Sequence, residues 1–457
     1  MVKDDLEMAR RVADAVQQAG GRVYYVGGFV RDRLLGREIK DIDIEVHGVS
    51  VHTLEEILDS LGERLTMGAS FGVLGLRHYD LDIAMPRSET ATGRGHKDFE
   101  VCVDPFLGEE KAAMRRDFTI NALMEDVLTG EVLDFFGGRS DLKQGLIRHV
   151  NSQSFAEDPL RVFRACQFAA RFRFSVAAET TALCSTMSVD ALARERVLGE
   201  MEKALLKADK PSVFFEELRN MRQLSCWFPE LEALIGVEQN ARYHPEGDVW
   251  THTMQVLDEA AMLRSEAQKP LWFMLAALCH DFGKAVTSAE ISGVIHAYEH
   301  ETAGLPLVER FLSRIANEGK LKEYVLDMTR MHMKPNALAL STKSDRKFMK
   351  MFDSSVCPED LLLLAKADYL GCRASEADHA EMLQNYARIE TMLRSRLAAY
   401  RLLMAEPSVT GRDLIEAGMS PGPIFSEALA YAHKLHLAGI ARESALRQTL
   451  GSFQRRK

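Results

Sequence analysis

The chain has 457 residues, 46% of them hydrophobic, and a formal net charge of -10. That length supports about two to four domains with real cores and excludes a disordered protein, while the acidic balance excludes a chain that coats nucleic acid non-specifically. Any RNA contact must therefore be a local basic patch. The acidic start, Met1-Val2-Lys3-Asp4-Asp5-Leu6-Glu7, lacks the apolar core of a secretory signal, and no later apolar run is long enough to span a bilayer. A cytoplasmic protein with no membrane partner is expected. The seven cysteines (Cys102, Cys166, Cys184, Cys226, Cys279, Cys357, Cys372) are scattered without a Cys-x-x-Cys pair and read as structural thiols of a reducing compartment.

Apolar residues at helical spacing over 6–18 predict a helix that stops at Gly20-Gly21, and Val23-Tyr24-Tyr25-Val26 predicts a short buried strand. A glycine turn, Gly27-Gly28, follows. Next come a short helix over 30–35, an alternating strand over 41–46, an amphipathic helix over 54–62 and strands over 72–76 and 79–84. Beyond Asn151 strand signals vanish, and helical periodicity marks 159–172, 194–207, 271–279 and 360–370. The fold class is α+β: a small mixed sheet with helices, then a nearly all-helical remainder. Motifs place soft boundaries that divide the chain into 1–150, 151–210, 211–375 and 376–457.

The glycine turn leads through Phe29-Val30-Arg31-Asp32 to Asp41-Ile42-Asp43. Two carboxylates at i and i+2 of a strand point to one side and can bridge a pair of Mg²⁺ ions roughly 3.5–4 Å apart, as nucleotidyl transfer requires. Asp82, on a neighbouring predicted strand, is the natural third carboxylate. Gly27 and Gly28 allow close backbone approach to phosphates, and Arg31 can pair with one. In Arg115-Arg116-Asp117 the arginines can hold a triphosphate and Asp117 can accept from a ribose hydroxyl; a helix start with a surface ion pair is the alternative. Asp158 and Arg161, in Glu157-Asp158-Pro159-Leu160-Arg161, share a helical face with Arg164 nearby. Such a pair can read the Watson–Crick edge of a base, or can be a simple i,i+3 ion pair.

Together these segments resemble the class II tRNA nucleotidyltransferases, the CCA-adding enzymes, and the related bacterial poly(A) polymerases. The resemblance covers roughly the first 205 residues. It implies that Asp41 and Asp43 bind the catalytic Mg²⁺, that Arg115-Arg116-Asp117 recognise ribose and phosphate, and that Asp134-Phe135-Phe136-Gly137-Gly138 forms a hinge. It further implies that Asp158 and Arg161 act as an amino-acid template for the incoming base, and that Glu195-Arg196-Val197 with Glu200 supports the site. Arg164 matches a family position near the nucleotide, whereas Gln167 stands where some relatives carry arginine. The segment 86–114 is similar in length to the mobile loop of full CCA-adding members. A catalytic head, helical neck, body and tail follow from the resemblance, with the 3′ end of tRNA, CTP and ATP as partners. Poly(A) polymerase, an enzyme adding only CC or A, and a phosphohydrolase with a non-catalytic head are the alternatives.

A second constellation begins at Leu278-Cys279-His280-Asp281-Phe282-Gly283-Lys284. His252 precedes it, and His300, His332 and Asp368 follow. This order resembles the HD phosphohydrolase superfamily over 245–375, which implies one or two divalent ions held by His252, His280, Asp281 and Asp368, joined by His300 and His332. His296 is an alternative ligand or a surface residue. Only the last residues, Arg455-Arg456-Lys457, are basic, unlike the strongly basic tails of poly(A) polymerases.

Overall fold

The computed structural model describes residues 2–39, 41–67, 73–91, 99–341 and 344–453. The start of the strand expected at Gly72, part of the segment 86–114 and the terminal Arg455-Arg456-Lys457 lie outside the described residues. The chain divides into two compact units, Met1–Trp227 and Phe228–Lys457.

In the first unit, helix α1 (Val2–Gln18) buries Met8, Val12 and Val16, four residues apart, together with Ala9 and Ala13. It packs on strand β1 (Arg22–Val26), which turns at Gly27 into helix α2 (Gly28–Leu34). Strand β2 (Ile42–His47), helix α3 (Val51–Leu61) and strands β3 (Arg64–Met67), β4 (Val73–Leu76) and β5 (Leu81–Ala84) follow. Along β2, Ile42, Ile44 and Val46 are buried in the core, and alternation sends Asp43, Glu45 and His47 to the opposite face. Burying each of those three apolar side chains contributes about 1.5–3 kcal/mol, which fixes the register and therefore the side on which the carboxylates stand.

A hairpin of β6 (Arg87–Ala91) and β7 (Phe99–Val103) and helix α4 (Glu109–Met114) precede β8 (Met124–Asp126) and β9 (Val132–Leu133). The main sheet has the order β3-β4-β5-β2-β1-β8-β9. It is mixed: β2 and β5 run parallel, with Asp43 opposite Asp82, while β1 pairs antiparallel with both β2 and β8. β6 to β9 go beyond the strands expected from the sequence; β8 and β9 are only two or three residues long and cannot display alternation.

Helices α5 (Gly138–Gln144), α6 (Ser152–Ala156), α7 (Leu160–Phe172), α8 (Ala178–Cys184) and α9 (Arg194–Lys207) follow in this unit, with the helix Ser212–Asn220, which packs on α7, and the short helix Leu224–Trp227. Helix α9 buries Val197, Met201, Ala204 and Leu205. Its other face carries Arg196, Lys203 and Lys207, spaced seven and four residues apart.

Among its described residues the second unit is helical apart from the hairpin Ala289–Ile291 and Val294–His296. That hairpin, and the two-residue pairing of Leu146–Ile147 with Ser175–Val176, are the described departures from the expected all-helical region near and beyond Asn151. The helix Val249–Leu263, N-capped by Asp248, packs against Pro358–Gly371 and Pro270–Cys279. The long helix His379–Ala405 and three shorter ones follow. No described helix is long and apolar enough to cross a membrane.

Candidate active site and metal centre

A cavity of about 830 Å³ opens on the sheet face that carries Asp43, and arginines and lysines outnumber carboxylates along its wall. Gly27, at the turn from β1 to α2, has a left-handed φ of +64°. A β-carbon there would stand 3.2 Å from Arg116 Nη1 and 3.9 Å from Asp43 Oδ2, so glycine keeps this wall open. Asp41, just before β2, and Asp43 both line the cavity. Asp82 stands at the ladder position opposite Asp43 but is not among the lining residues, whereas Glu45, two residues beyond Asp43 on the same face of β2, is.

Burial, then the neighbouring Asp82 and Asp41 carboxylates, push Asp43 above its ordinary value; Asp82 is raised by burial and by Asp80 and Asp41. Carboxylates crowded against their own kind are satisfied by a divalent cation, so this donor set fits one.

The basic side of the cavity is wired differently from the sequence reading. Arg31 is buried and gives its guanidinium to Asp32 at 2.8 Å and Asn121 at 2.7 Å, over the rings of Phe168 and Phe172. It ties α2 to the rest of the fold. Asp117 is also buried: one oxygen accepts from Phe118 N at 2.8 Å and Asn121 Nδ2 at 2.9 Å, the other from Arg164 Nε at 2.8 Å. Although burial pushes Asp117 up, the Arg164 charge and these hydrogen bonds hold it below the usual carboxylate range. An acceptor so fully engaged orients Arg164.

Arg116 pairs with Glu45 at 3.2 Å, and Arg115 donates to the carbonyl of Arg87. At the start of α7, Arg161 donates to the carbonyls of Ser154 at 2.6 Å and Arg115 at 2.9 Å, while Asp158 pairs with Arg196 of α9 at 3.1 Å. Arg115, Arg116, Asp158, Arg161 and Arg196 line the cavity together with Arg164. Sequence reasoning assigned no site role to Glu45, Asn121, Lys203 or Lys207 and gave Arg196 only a supporting one. Glu45 was legible as the next same-face position after Asp43, and the α9 cations as a helical stripe.

The second unit gathers every predicted ligand. His252 Nε2 lies 3.3 Å from His280 Nε2 and 3.1 Å from Asp368 Oδ1; His300 Nε2 lies 3.4 Å from His332 Nε2. Asp281 stands between the two pairs. Its Oδ2 is 3.3 Å from His280 and 3.5 Å from His252, and its Oδ1 is 3.2 Å from His300 and 3.7 Å from His332. Each of His280, His300 and His332 hydrogen-bonds through Nδ1 to the carbonyl three residues back, at 2.7–2.9 Å. Those bonds engage Nδ1 and leave Nε2 as the nitrogen each ring offers to the centre, so Nε2 atoms converge where they cannot all satisfy one another. The buried Asp281 oxygens likewise accept no well-directed hydrogen bond. Burial and His280 push His332 down to about 4, which keeps it neutral. The donor set therefore fits divalent cations in two groups, His252-His280-Asp368 and Asp281-His300-His332, with Asp281 Oδ2 turned toward the histidines of the first.

Gly283 makes this packing possible: a β-carbon there would stand 1.9 Å from the carbonyl oxygen of His300. Lys284, which carried no assigned role, is buried with Nζ 2.7 Å from Asp281 Oδ2. His296 stacks on Tyr298 and belongs to neither group. A cavity of about 880 Å³ opens onto Asp281, His300 and Asp368. Of the cysteines, Cys166, Cys184 and Cys279 are buried as expected, but Cys226 is exposed and Cys372 lines this cavity.

Residues 23–148 match the family profile of the poly A polymerase head domain and 249–371 that of the HD domain. The multifunctional CCA protein of Nitrosococcus oceani is 38% identical over 405 residues, covering 87% of this chain and 93% of that protein. The chain belongs to the multifunctional CCA protein family. The relative of the same description from Thioalkalivibrio sulfidiphilus is 37% identical over 419 residues, covering 89% of this chain and 96% of its own length. Among solved structures, an apo CCA-adding enzyme superposes with a TM-score of 0.67 at 21% identity, covering 98% of this chain and 95% of that one. The Bacillus stearothermophilus CCA-adding enzyme in complex with CTP gives 0.65 at 21% identity, over 97% and 96% of the two chains. These two likenesses carry the α+β fold, with its mixed-sheet head and helical remainder.

Proposed function

We propose that this chain adds CCA to the 3′ end of tRNA from CTP and ATP without a nucleic-acid template. The observation that carries the proposal is one cavity holding a glycine turn, the Asp41 and Asp43 carboxylates, an arginine wall and the Asp158–Arg161 helix start. Asp41 and Asp43 would hold Mg²⁺, which when bound neutralises the triphosphate and activates the 3′-hydroxyl. Arg115, Arg116 and Arg164 bind the triphosphate, with Glu45 and Asp117 orienting Arg116 and Arg164. Gly27 and Gly28 let the backbone approach the phosphates. Arg31 acts as a positioning residue, and Asp82 supports Asp43 from the next strand.

Asp158 and Arg161 present an acceptor and a donor to the base edge of the incoming nucleotide, with Arg196 setting the Asp158 carboxylate. Lys203 and Lys207 supply the local basic patch for the tRNA end. We assign 1–150 to the catalytic head, 151–210 to the neck, 211–375 to the HD body and 376–457 to a tRNA-binding tail, in a cytoplasmic enzyme. The HD group of His252, His280, Asp281, Asp368, His300 and His332 is assigned a divalent-cation-dependent phosphohydrolase activity, favoured by its convergent Nε2 atoms.

The test is incorporation into tRNA that ends at the discriminator base. CTP alone should add the two cytidines, ATP alone should add nothing, and both should complete CCA. Failure to incorporate cytidine with indefinite extension by ATP would instead make the chain a poly(A) polymerase.

A further inference from the structure

Beside the HD group lies a second cluster with different chemistry. His244, Glu246, His252 and Cys372 bring one ligand-capable atom each within 4.8 Å of the others. Glu246 Oε1 is 2.9 Å from His244 Nδ1 and 2.8 Å from His252 Nδ1, and Cys372 Sγ is 3.7 Å from the former nitrogen and 3.9 Å from the latter. The Glu246 side chain is 0% exposed, yet its Oε2 has no hydrogen-bond partner. Cys372 follows Asp368 by four residues and donates to the Asp368 carbonyl at 3.4 Å, so both face one cavity, which His244 also lines.

We propose that His244, Glu246 and Cys372, with His252 Nδ1 at their edge, form a cation site separate from the HD group and selective for a borderline-soft divalent ion of the Zn²⁺ class. A thiolate, a neutral imidazole and a carboxylate are a tetrahedral zinc donor set and a poor one for Mg²⁺, which demands oxygen ligands. The orphan Oε2 is the oxygen such an ion satisfies. Binding displaces the Cys372 thiol proton to solvent. The access route is the cavity that reaches His244 and Cys372.

The site bears on its neighbour through one ring. His252 turns Nε2 to Asp368 and His280 and Nδ1 to Glu246. An ion that engages Glu246 withdraws the acceptor that orients this imidazole. The thiol site is therefore coupled to the HD group without sharing its Nε2 ligands.

The test uses the full chain, reduced and stripped of metal by a chelator, titrated anaerobically with Co²⁺. A thiolate ligand gives cobalt a near-ultraviolet charge-transfer band that an oxygen and nitrogen site lacks. The band is expected in the parent chain, in Cys226→Ser and in His280→Ala, and should be bleached by Zn²⁺. It should vanish in Cys372→Ser, and Co²⁺ affinity read from it should fall at least about tenfold in His244→Ala. Absence of the band from the parent chain, or its survival in Cys372→Ser, would overturn the proposal. Loss in His280→Ala would assign the thiolate to the HD centre and overturn a separate site.

Discussion

The two cavities solve opposite electrostatic problems. In the head, cations crowd the wall and are held by fixed partners: Arg116 by Glu45, Arg164 by Asp117 and Arg161 by backbone carbonyls. Such a site is complete only with a polyanion and its counter-ions inside it. In the HD unit, three imidazoles locked by backbone carbonyls aim their Nε2 atoms at one aspartate. That site is complete with cations alone. Arginine, always charged, suits a variable phosphate ligand, and neutral histidine suits a resident ion.

The sharpest way to break the contrast is Asp281→Ala, which removes a ligand of one cation group and the carboxylate oxygen turned toward the histidines of the other. Affinity for Mn²⁺ in the second unit should fall at least about 100-fold by calorimetry, while His332→Ala should remove only one of two binding events. A single unchanged isotherm in both variants would refute that place for Asp281.

Asp117→Asn tests whether the head wall depends on its internal pairs. Truncating one partner of this pair should cost about 3 kcal/mol in urea unfolding, near the low end for a buried pair because the Arg164 side chain is 32% exposed. The Asp117 carboxyl is depressed in the folded state, so its stabilisation is full above the ordinary carboxylate value of 3.8 and is lost as pH falls through the lower folded value. The asparagine variant should show a flatter stability profile across that acid window; an unchanged slope would place the acid sensitivity elsewhere.

Gly27→Val forces a β-carbon toward Arg116 from a left-handed backbone. Nucleotide incorporation should drop about 100-fold with the circular dichroism spectrum retained, and cation binding to the second unit should not change. The smallest effect is expected for Arg196→Ala. Its pair with Asp158 is partly exposed and worth at most about 1 kcal/mol, so stability should hold while discrimination between CTP and ATP relaxes less than tenfold. Equal loss for both nucleotides would make Arg196 a phosphate contact.

The sequence made local geometry legible. Alternation along 41–46 put Asp41 and Asp43 on one side, and the HD doublet with distant histidines named a ligand set that the structure does gather. What it hid was partnership between segments far apart in the chain. Arg31 and Asp117 carry the right chemistry for phosphate and ribose, but Asn121 and Arg164 occupy them, and nothing in local spacing announces a partner 90 or 47 residues away. Beyond the i,i+3 spacing of Asp158 and Arg161, Asp158 pairs with Arg196 where α7 packs on α9, and Arg161 donates to the carbonyls of Ser154 and Arg115, partners that local spacing does not announce. Cys372 looked like one more buried thiol because its neighbours His244 and Glu246 lie over 120 residues upstream.

The central claim is that one chain holds two chemically independent sites. Asp43→Ala and His280→Ala, each assayed for CCA incorporation and for divalent-cation binding to the second unit, test it most directly. Asp43→Ala should lose incorporation by at least ~10³-fold and keep the cation isotherm, and His280→Ala should keep incorporation and lose one of the two cation-binding events. Loss of incorporation in His280→Ala, or normal incorporation in Asp43→Ala, would contradict the account.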